Sequence, residues 1–423
     1  MSDKIDDSKD VFKLVKSIAD YTQVYARLGC GHIINSGKLK RHWPCPKTDN
    51  SGSSKSTKFR LHKDFATNGR CIHNDVNNGQ YMGIIEFTMW MYNLGEIDAA
   101  MEVLDAAGIQ YEDLRRDSNR PRMNEGASPV PTLTPELIAE RKQTEFAKGK
   151  RAVESIAKIW SAGVPLTNPN ALDLLDKYMQ ERGLPPGHAA KMPQHLRVHF
   201  NLLYPGYYRE SEKAAWYAGV MVPMCDATGK RCNFHRHYFQ KKTGKKIPED
   251  NRKLMMEAPW SLEPGSFLEY DEPEVFEGEN GEKSALIQVG EGMETMEGVR
   301  AGTNLPVQPM FSDYFLKNYQ PPVIEGVKPE NYFIEIYEDK DVSGAGTRAC
   351  NALAQRLTKL GYRCRKHVPP MDIPEGAKGV DWLDVWNKLG VMAFHEELRD
   401  PDLEQAQLER EEALKAEANI QMT

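Results

Sequence analysis

At 423 residues, with 40% hydrophobic and 27% charged side chains, the chain is too long for one ordinary domain and has a globular composition. No run of about 18 apolar residues occurs, which argues against a spanning helix, and MSDKIDDSKD is polar and acidic where a secretory leader would be basic and then apolar. An intracellular, cytoplasmic protein without a membrane partner is expected, its seven cysteines serving as buried side chains or metal ligands rather than disulfides.

The formal net charge of -6 hides an asymmetry. Between Arg27 and Arg70 cations dominate (Lys38, Lys40, Arg41, Lys47, Lys55, Lys58, Arg60, Lys63), whereas Glu396 onward is acidic. Local sign counts for more than the sum when the partner is a polyanion. Residues 11 to 28 carry Val11, Leu14, Val15, Ile18 and Tyr25 at helical spacing. Next comes a Gly- and Asn-rich region with Cys30, His32, His42, Cys45, Cys71 and His73. Zinc takes four Cys or His ligands, commonly as two close pairs. His42 with Cys45 and Cys71 with His73 make two such pairs around a basic strand, Lys58 to His62, with Cys30 and His32 as rival ligands. Two helices, Gly83 to Leu94 and Ile97 to Ala107, are expected to pack on this ribbon-like layout.

Residues 115–135 hold four prolines and read as a linker. Thr134-Pro135-Glu136 then opens a helix to about Trp160, and Ala171 to Arg182 is a second. From Leu196 to Met255 strands take over: Ala218 to Met224 and Cys232 to Phe239 flank the hairpin turn Asp226 to Lys230. Period two places His235 and His237 on one face, Arg236 and Tyr238 on the other. A cationic loop, Lys241 to Lys253, suits either phosphate or plain solvation, and the acidic stretch 261–283 reads as an insertion or loop.

Two strand-to-helix junctions follow. Ala285 to Val289 is a buried-looking strand ending in Glu291-Gly292 before a helix from Met293. Asn331 to Tyr337 ends in Glu338-Asp339-Lys340-Asp341-Val342-Ser343-Gly344-Ala345-Gly346 before a helix at Thr347. An isolated D-x-D is most simply a turn former. If the two strands are parallel neighbours, however, three carboxylates converge at the carboxyl edge, where open α/β sheets gather ligands and where a hard cation can be held. Asp381, after the strand Tyr362 to His367, is either a fourth member or only a helix cap. Residues 394–423 read as an exposed helix or a disordered arm.

Glu291-Gly292 followed by Asp339-x-Asp341 and Gly344 resembles the Toprim domain. With a basic ribbon and a strand-rich region in front, the chain is similar to bacterial-type (DnaG-like) primases, and in Gly219 to Phe239 and Val380 to Val385 to those carried by phages and mobile elements. The ribbon departs from that family: Thr48 or Asp49 stands where a further ligand is expected. The resemblance implies an α/β and α+β multidomain architecture: a zinc-ribbon-like template-binding domain (1–114), the linker (115–135), a helical, strand-rich polymerase-like subdomain (136–283), a parallel-sheet Toprim domain (284–392) and a charged tail (393–423). It implies a nucleotidyltransferase making short RNA primers on single-stranded DNA for phage, plasmid or mobile-element replication in a bacterial host. Mg2+ or Mn2+ would sit at Glu291, Asp339 and Asp341, with Glu291 alternatively moving the hydroxyl proton and Asp381 assisting. Zn2+ would sit at His42, Cys45, Cys71 and His73. His235, Arg236 and Lys253 would meet nucleotide or template phosphates, and Lys58, Arg60, Trp43 and Phe59 the template. No G-x4-GK[ST] loop occurs, so a replicative helicase would be a separate partner. A Toprim nuclease and a non-catalytic single-stranded-DNA-binding initiator are the alternatives.

Overall fold

A computed structural model describes the chain except residues 1–6, 40–41, 49–57, 75, 77–79, 112–126, 207–212, 250, 258–263 and 422–423. The central part of the sequence-derived linker therefore lies outside the described residues. The chain divides into two compact units, Met1–Glu145 and Phe146–Thr423. Among the described residues no helix is long and apolar enough to cross a membrane.

The first unit contains α1 (Asp7–Lys16), α2 (Thr22–Tyr25) and α3 (Gly31–Asn35), then β1 (Phe59–Leu61), α4 (Phe65–Asn68), β2 (Cys71–His73) and β3 (Tyr81–Met82), then α5 (Ile84–Tyr92) and α6 (Glu96–Ala107). The helix expected over 11–28 is broken: the Ser17 hydroxyl donates to Leu14 O, and Asp20 accepts the Thr22 amide, so the chain stops and restarts. β1, β2 and β3 form a small antiparallel sheet. Phe59, Leu61, Cys71, Phe87 and Val103 share one core, so α5 and α6 do pack on the strands.

The second unit is built on two sheets. α7 (Pro135–Ala162) begins in the first unit and runs into this one, and α8 (Pro169–Glu181) follows; Asn168 Oδ1 caps α8 by accepting the Asn170 and Ala171 amides. A six-stranded antiparallel sheet follows the order β4 (Val164–Pro165), β5 (Arg197–Tyr204), β6 (Ala215–Cys225), β7 (Arg231–Phe239), β8 (Lys253–Met255), with β9 (Phe267–Leu268) on β6. The β6–β7 hairpin closes as the sequence indicates, with Asp226 Oδ1 accepting the Thr228 and Lys230 amides.

The other sheet is mixed. β11 (Lys283–Glu291) carries β10 (Glu274–Glu277) and β12 (Val307–Met310) along one edge and β13 (Tyr332–Tyr337) along the other, and β13 pairs β15 (Arg363–His367). β11 and β13 are parallel neighbours in register, Gly290 opposite Tyr337, so both junctions open on one edge. One face packs on α10 (Asp313–Lys317) and α11 (Ala345–Lys359). The other carries α9 (Met293–Thr303) and α12 (Trp382–Leu389), whose apolar residues merge with those of the six-stranded sheet in a continuous core. A Cβ on Gly298 would stand 2.7 Å from Leu383 Cα, so this glycine permits the close α9–α12 crossing. Stretch 261–283, read as a loop, supplies β9 and β10; their two and four residues are too short to show alternation.

β14 (Lys340–Asp341) pairs β16 (Gly379–Val380) antiparallel, drawing the D-x-D turn against the start of α12. α13 (Pro401–Gln421) closes the chain. The segment before it is no arm: Phe394 is 2% exposed and packs on Trp382, and the Asp400 amide donates to Gly302 O.

Candidate active site

Each carboxylate at this edge is placed by the turn that follows its strand. Glu291 ends β11, and Gly292, at φ 81°, turns the chain into α9. Lys253 Nζ lies 3.9 Å from where a Gly292 Cβ would be, which brings the cation beside Glu291. Burial and the neighbouring Asp313 push the Glu291 carboxyl up to about 7, with Lys253 opposing and Asp341 adding to the rise.

Asp339 and Asp341 do different work. Asp341 accepts from the Ser343 hydroxyl and from the Gly346 amide at 2.8 Å, and so caps α11. Burial raises its pKa, but these bonds outweigh burial and hold it below the usual carboxylate range. The turn-former reading of this motif is thus correct for Asp341. Asp339 is the opposite case: burial, then Glu291 and Asp381, push it well above the ordinary value, with Lys253 partly offsetting them. Its Oδ1 is buried and has no hydrogen-bond partner among the described residues. A Cβ on Gly346 would lie 2.2 Å from Asp339 O. Gly346→Ala is therefore expected to displace the Asp339 turn and destabilise the protein by about 1–3 kcal/mol, readable as a lower midpoint in urea.

Asp381 is the cap of α12, accepting the Asp384 amide at 2.9 Å while Asp384 accepts the Asp381 amide at 3.3 Å. Asp381 is thus a helix cap; burial still raises its carboxyl against the opposing hydrogen bond from the Asp384 amide, and its charge acts on Asp339.

A cationic flank faces these carboxylates. Lys253 Nζ is 2.8 Å from Glu294 Oε2, and Arg182 Nε is 3.2 Å from Glu294 Oε1. Tyr178 also donates to Glu294. Burial alone would raise Glu294, yet Lys253 and Arg182 keep it well below the carboxylate range, so it remains an anion that orients both cations. His235 and His237 face this group as period two requires, 3.2 Å apart between ring nitrogens. Burial depresses both, aided at His235 by His237 and Lys253 and at His237 by Lys253 against Glu294, which brings His237 to about 3, so the pair is neutral. Arg236, on the opposite face, is buried and donates to Leu254 O and Met255 O.

Among the described residues, no three His, Cys, Asp or Glu side chains close into a ready metal-ligand set. At the carboxylate edge the chemistry nonetheless fits a hard divalent cation. Hard oxygen donors repel one another there, and one buried carboxylate oxygen is unpartnered.

The zinc positions are not gathered into one ligand set among the described residues. His42 is exposed and Cys45 half-buried, while Cys71 and His73 point inward from β2. Cys71 sits in the apolar core beside Cys30 and Tyr25, and burial pushes its thiol up to about 12, with the Tyr25 hydroxyl acting against that rise. His73 packs on Trp90 at 5.0 Å between ring centroids. Lys58 is exposed and Arg60 half-buried on β1, but Phe59 is fully buried in the core and unavailable to a template base. Period two explains this: the basic residues take one face of β1 and the apolar ones the other.

Glu294, Arg182 and Asp313 were not singled out from sequence. Glu294 sits three residues after Glu291 in the first turn of α9, a usable signal; Arg182 lies 112 positions away and leaves none.

A domain family described only as a domain of unknown function (DUF7146) matches residues 150–262. None of the curated proteins matches the sequence. Among solved structures, the zinc-binding and RNA polymerase domains of the Aquifex aeolicus primase are 12% identical, with 90% of this chain and 83% of that chain covered at a TM-score of 0.29. The DnaG catalytic core is 14% identical (58% and 77% covered, TM-score 0.32), and the primase fragment of the bacteriophage T7 primase-helicase protein is 12% identical (50% and 71%, TM-score 0.27). All three are primases. These are remote likenesses, so the site is interpreted from its own residues.

Proposed function

We propose that the second unit is a nucleotidyltransferase that makes short RNA primers on single-stranded DNA. The observation that carries this reading is the convergence of Glu291, Asp339 and Asp381 on one sheet edge opposite Lys253 and Arg182: negative donors for a cation beside positive donors for a polyphosphate.

Asp339 is the principal metal ligand, through its unpartnered buried oxygen, with Glu291 and Asp381 completing the set and Asp341 fixing the turn by capping α11. Held there, Mg2+ or Mn2+ supplies acidification of a 3′-hydroxyl and neutralisation of the departing pyrophosphate. Where Glu291 instead leaves the cation to Asp339 and Asp381, it takes up the hydroxyl proton, its carboxyl being raised by burial and by Asp313. Lys253 and Arg182, steered by Glu294, bind the triphosphate, and His235 with His237 stays neutral beneath them. Arg236 braces β8. In the first unit Lys58 and Arg60 present cations to template phosphates; zinc is assigned no role there. The setting is replication of a phage, plasmid or other mobile element in a bacterial cytoplasm, with the helicase as a separate protein.

Incubation with single-stranded DNA, labelled ribonucleotides and Mg2+ tests this. Short alkali-labile products support it; cleaved DNA would identify a nuclease, and DNA binding without product an initiator.

If α13 docks the helicase, removing residues 409–423 is expected to preserve basal priming and abolish helicase stimulation. Unchanged stimulation would exclude that role. Truncation from residue 394 is unsuitable for the purpose, because it strips Phe394 and Leu398 from the core.

A further inference from the structure

Two further acidic residues lie within two positions of Asp339, and one of them, Asp341, holds the turn through its hydrogen bonds. Glu338 is the other. A carboxylate beside a site already rich in negative charge is unfavourable unless it is paired, and its side chain is only 3% exposed. Its partners come from two different elements. Lys366 Nζ, on β15, stands 3.0 Å from Glu338 Oε2, and the Thr347 hydroxyl, in the first turn of α11, donates to Glu338 Oε1. Lys366 Nζ also donates to Asn351 Oδ1 at 2.9 Å, one helical turn beyond Thr347. The Glu338 amide donates to His367 O at 2.9 Å, extending the β13–β15 pairing one residue past the strand. Glu338 thus ties the ends of two strands to the helix whose N-terminus Asp341 caps. Asp339 lies between the two anchors, its own carbonyl pressed against Gly346.

We propose that Glu338, clamped by Lys366 and Thr347, is a positioning residue that aims Asp339 at the cation site. This deepens the carboxylate-site reading above and rests on it. The clamp acts through backbone geometry, because the Glu338 carboxylate is turned into the β15–α11 side of the junction, its Oε1 bonded by Thr347 and its Oε2 held by the Lys366 ion pair without a hydrogen bond. Charge and position predict opposite signs. Deleting the Lys366 charge would by electrostatics alone tighten a nearby cation, whereas loss of the clamp lets Asp339 drift and weakens it. Thr347→Val removes one tie and leaves every charge in place.

The test is calorimetric Mn2+ binding to the full-length protein, without nucleotide or DNA, for wild type and for Thr347→Val, Lys366→Met, Lys366→Arg and Asp339→Asn, with circular dichroism to confirm folding. Thr347→Val and Lys366→Met are each expected to weaken Mn2+ about five- to tenfold, and Lys366→Arg less than about threefold. Should Lys366→Met not fold, Thr347→Val decides alone. If Asp339→Asn weakens Mn2+ while Thr347→Val binds it like wild type, the clamp is refuted and the carboxylate site survives. If Asp339→Asn binds Mn2+ unchanged, the carboxylate-site reading fails and the clamp falls with it.

Discussion

Asp339→Asn is expected to lower primer synthesis by about a thousandfold or more and to leave the fold at least as stable as wild type. The two effects share one cause. Asp339 is buried among like charges with an unpartnered oxygen, so the folded protein is strained by that carboxylate. An amide of the same shape removes the repulsion with Glu291 and Asp381 and with it the cation ligand. A thermal midpoint equal to or above that of wild type, together with lost activity, is the signature of a functional rather than a structural carboxylate. Asp341→Asn should behave differently, because Asp341 caps α11: a lower midpoint is expected along with reduced activity.

The second large effect concerns the charged group buried under α9. Glu297 is 0% exposed and is met by His188 Nε2 at 2.7 Å, by Arg300 Nε at 3.0 Å and by the Tyr270 hydroxyl at 2.5 Å, while Arg300 also reaches Asp271 at 2.6 Å. Arg300→Met leaves two carboxylates short of their cation and is expected to cost about 3–5 kcal/mol, or roughly 5–10 °C in midpoint for a unit of this size. The pH dependence has a definite sign. Burial raises Glu297, but Arg300 and His188 outweigh it and hold the folded value at about 2, below the unfolded carboxylate value of about 4.3. Its stabilisation is therefore complete above about pH 4.3 and is lost as pH falls through about 2. Acid titration of urea midpoints should show this loss in wild type and a flatter profile in Glu297→Gln.

Sequence legibility followed locality. The β6–β7 hairpin, the α7 start and the two strand-to-glycine junctions are written in adjacent residues, and the structure has them all. Parallel pairing of β11 with β13 could be posed only as a condition, because some forty residues separate the strands. The rivalry between turn former and ligand at Asp341, and between cap and ligand at Asp381, is not decided by sequence either, because all these roles ask for a short carboxylate at a helix start; hydrogen bonds show that both residues hold a helix start, which at Asp381 does not exclude ligation. The zinc reading shows the converse hazard. Spacing suggests two ligand pairs, whereas β2 turns Cys71 into an apolar core beside Tyr25 and Cys30. Arg182, Tyr178 and Lys253 meet at Glu294 only because α8 and α9 pack in one core and β8 pairs with β7.

The central claim is that the Asp339 edge transfers nucleotides. Wild type and Asp339→Asn, assayed side by side on one single-stranded DNA with labelled ribonucleotides and Mg2+, test it directly. Short RNA from wild type and almost none from the folded variant is the predicted result. Equal yields from the two proteins, or cleaved DNA in place of RNA, would contradict it.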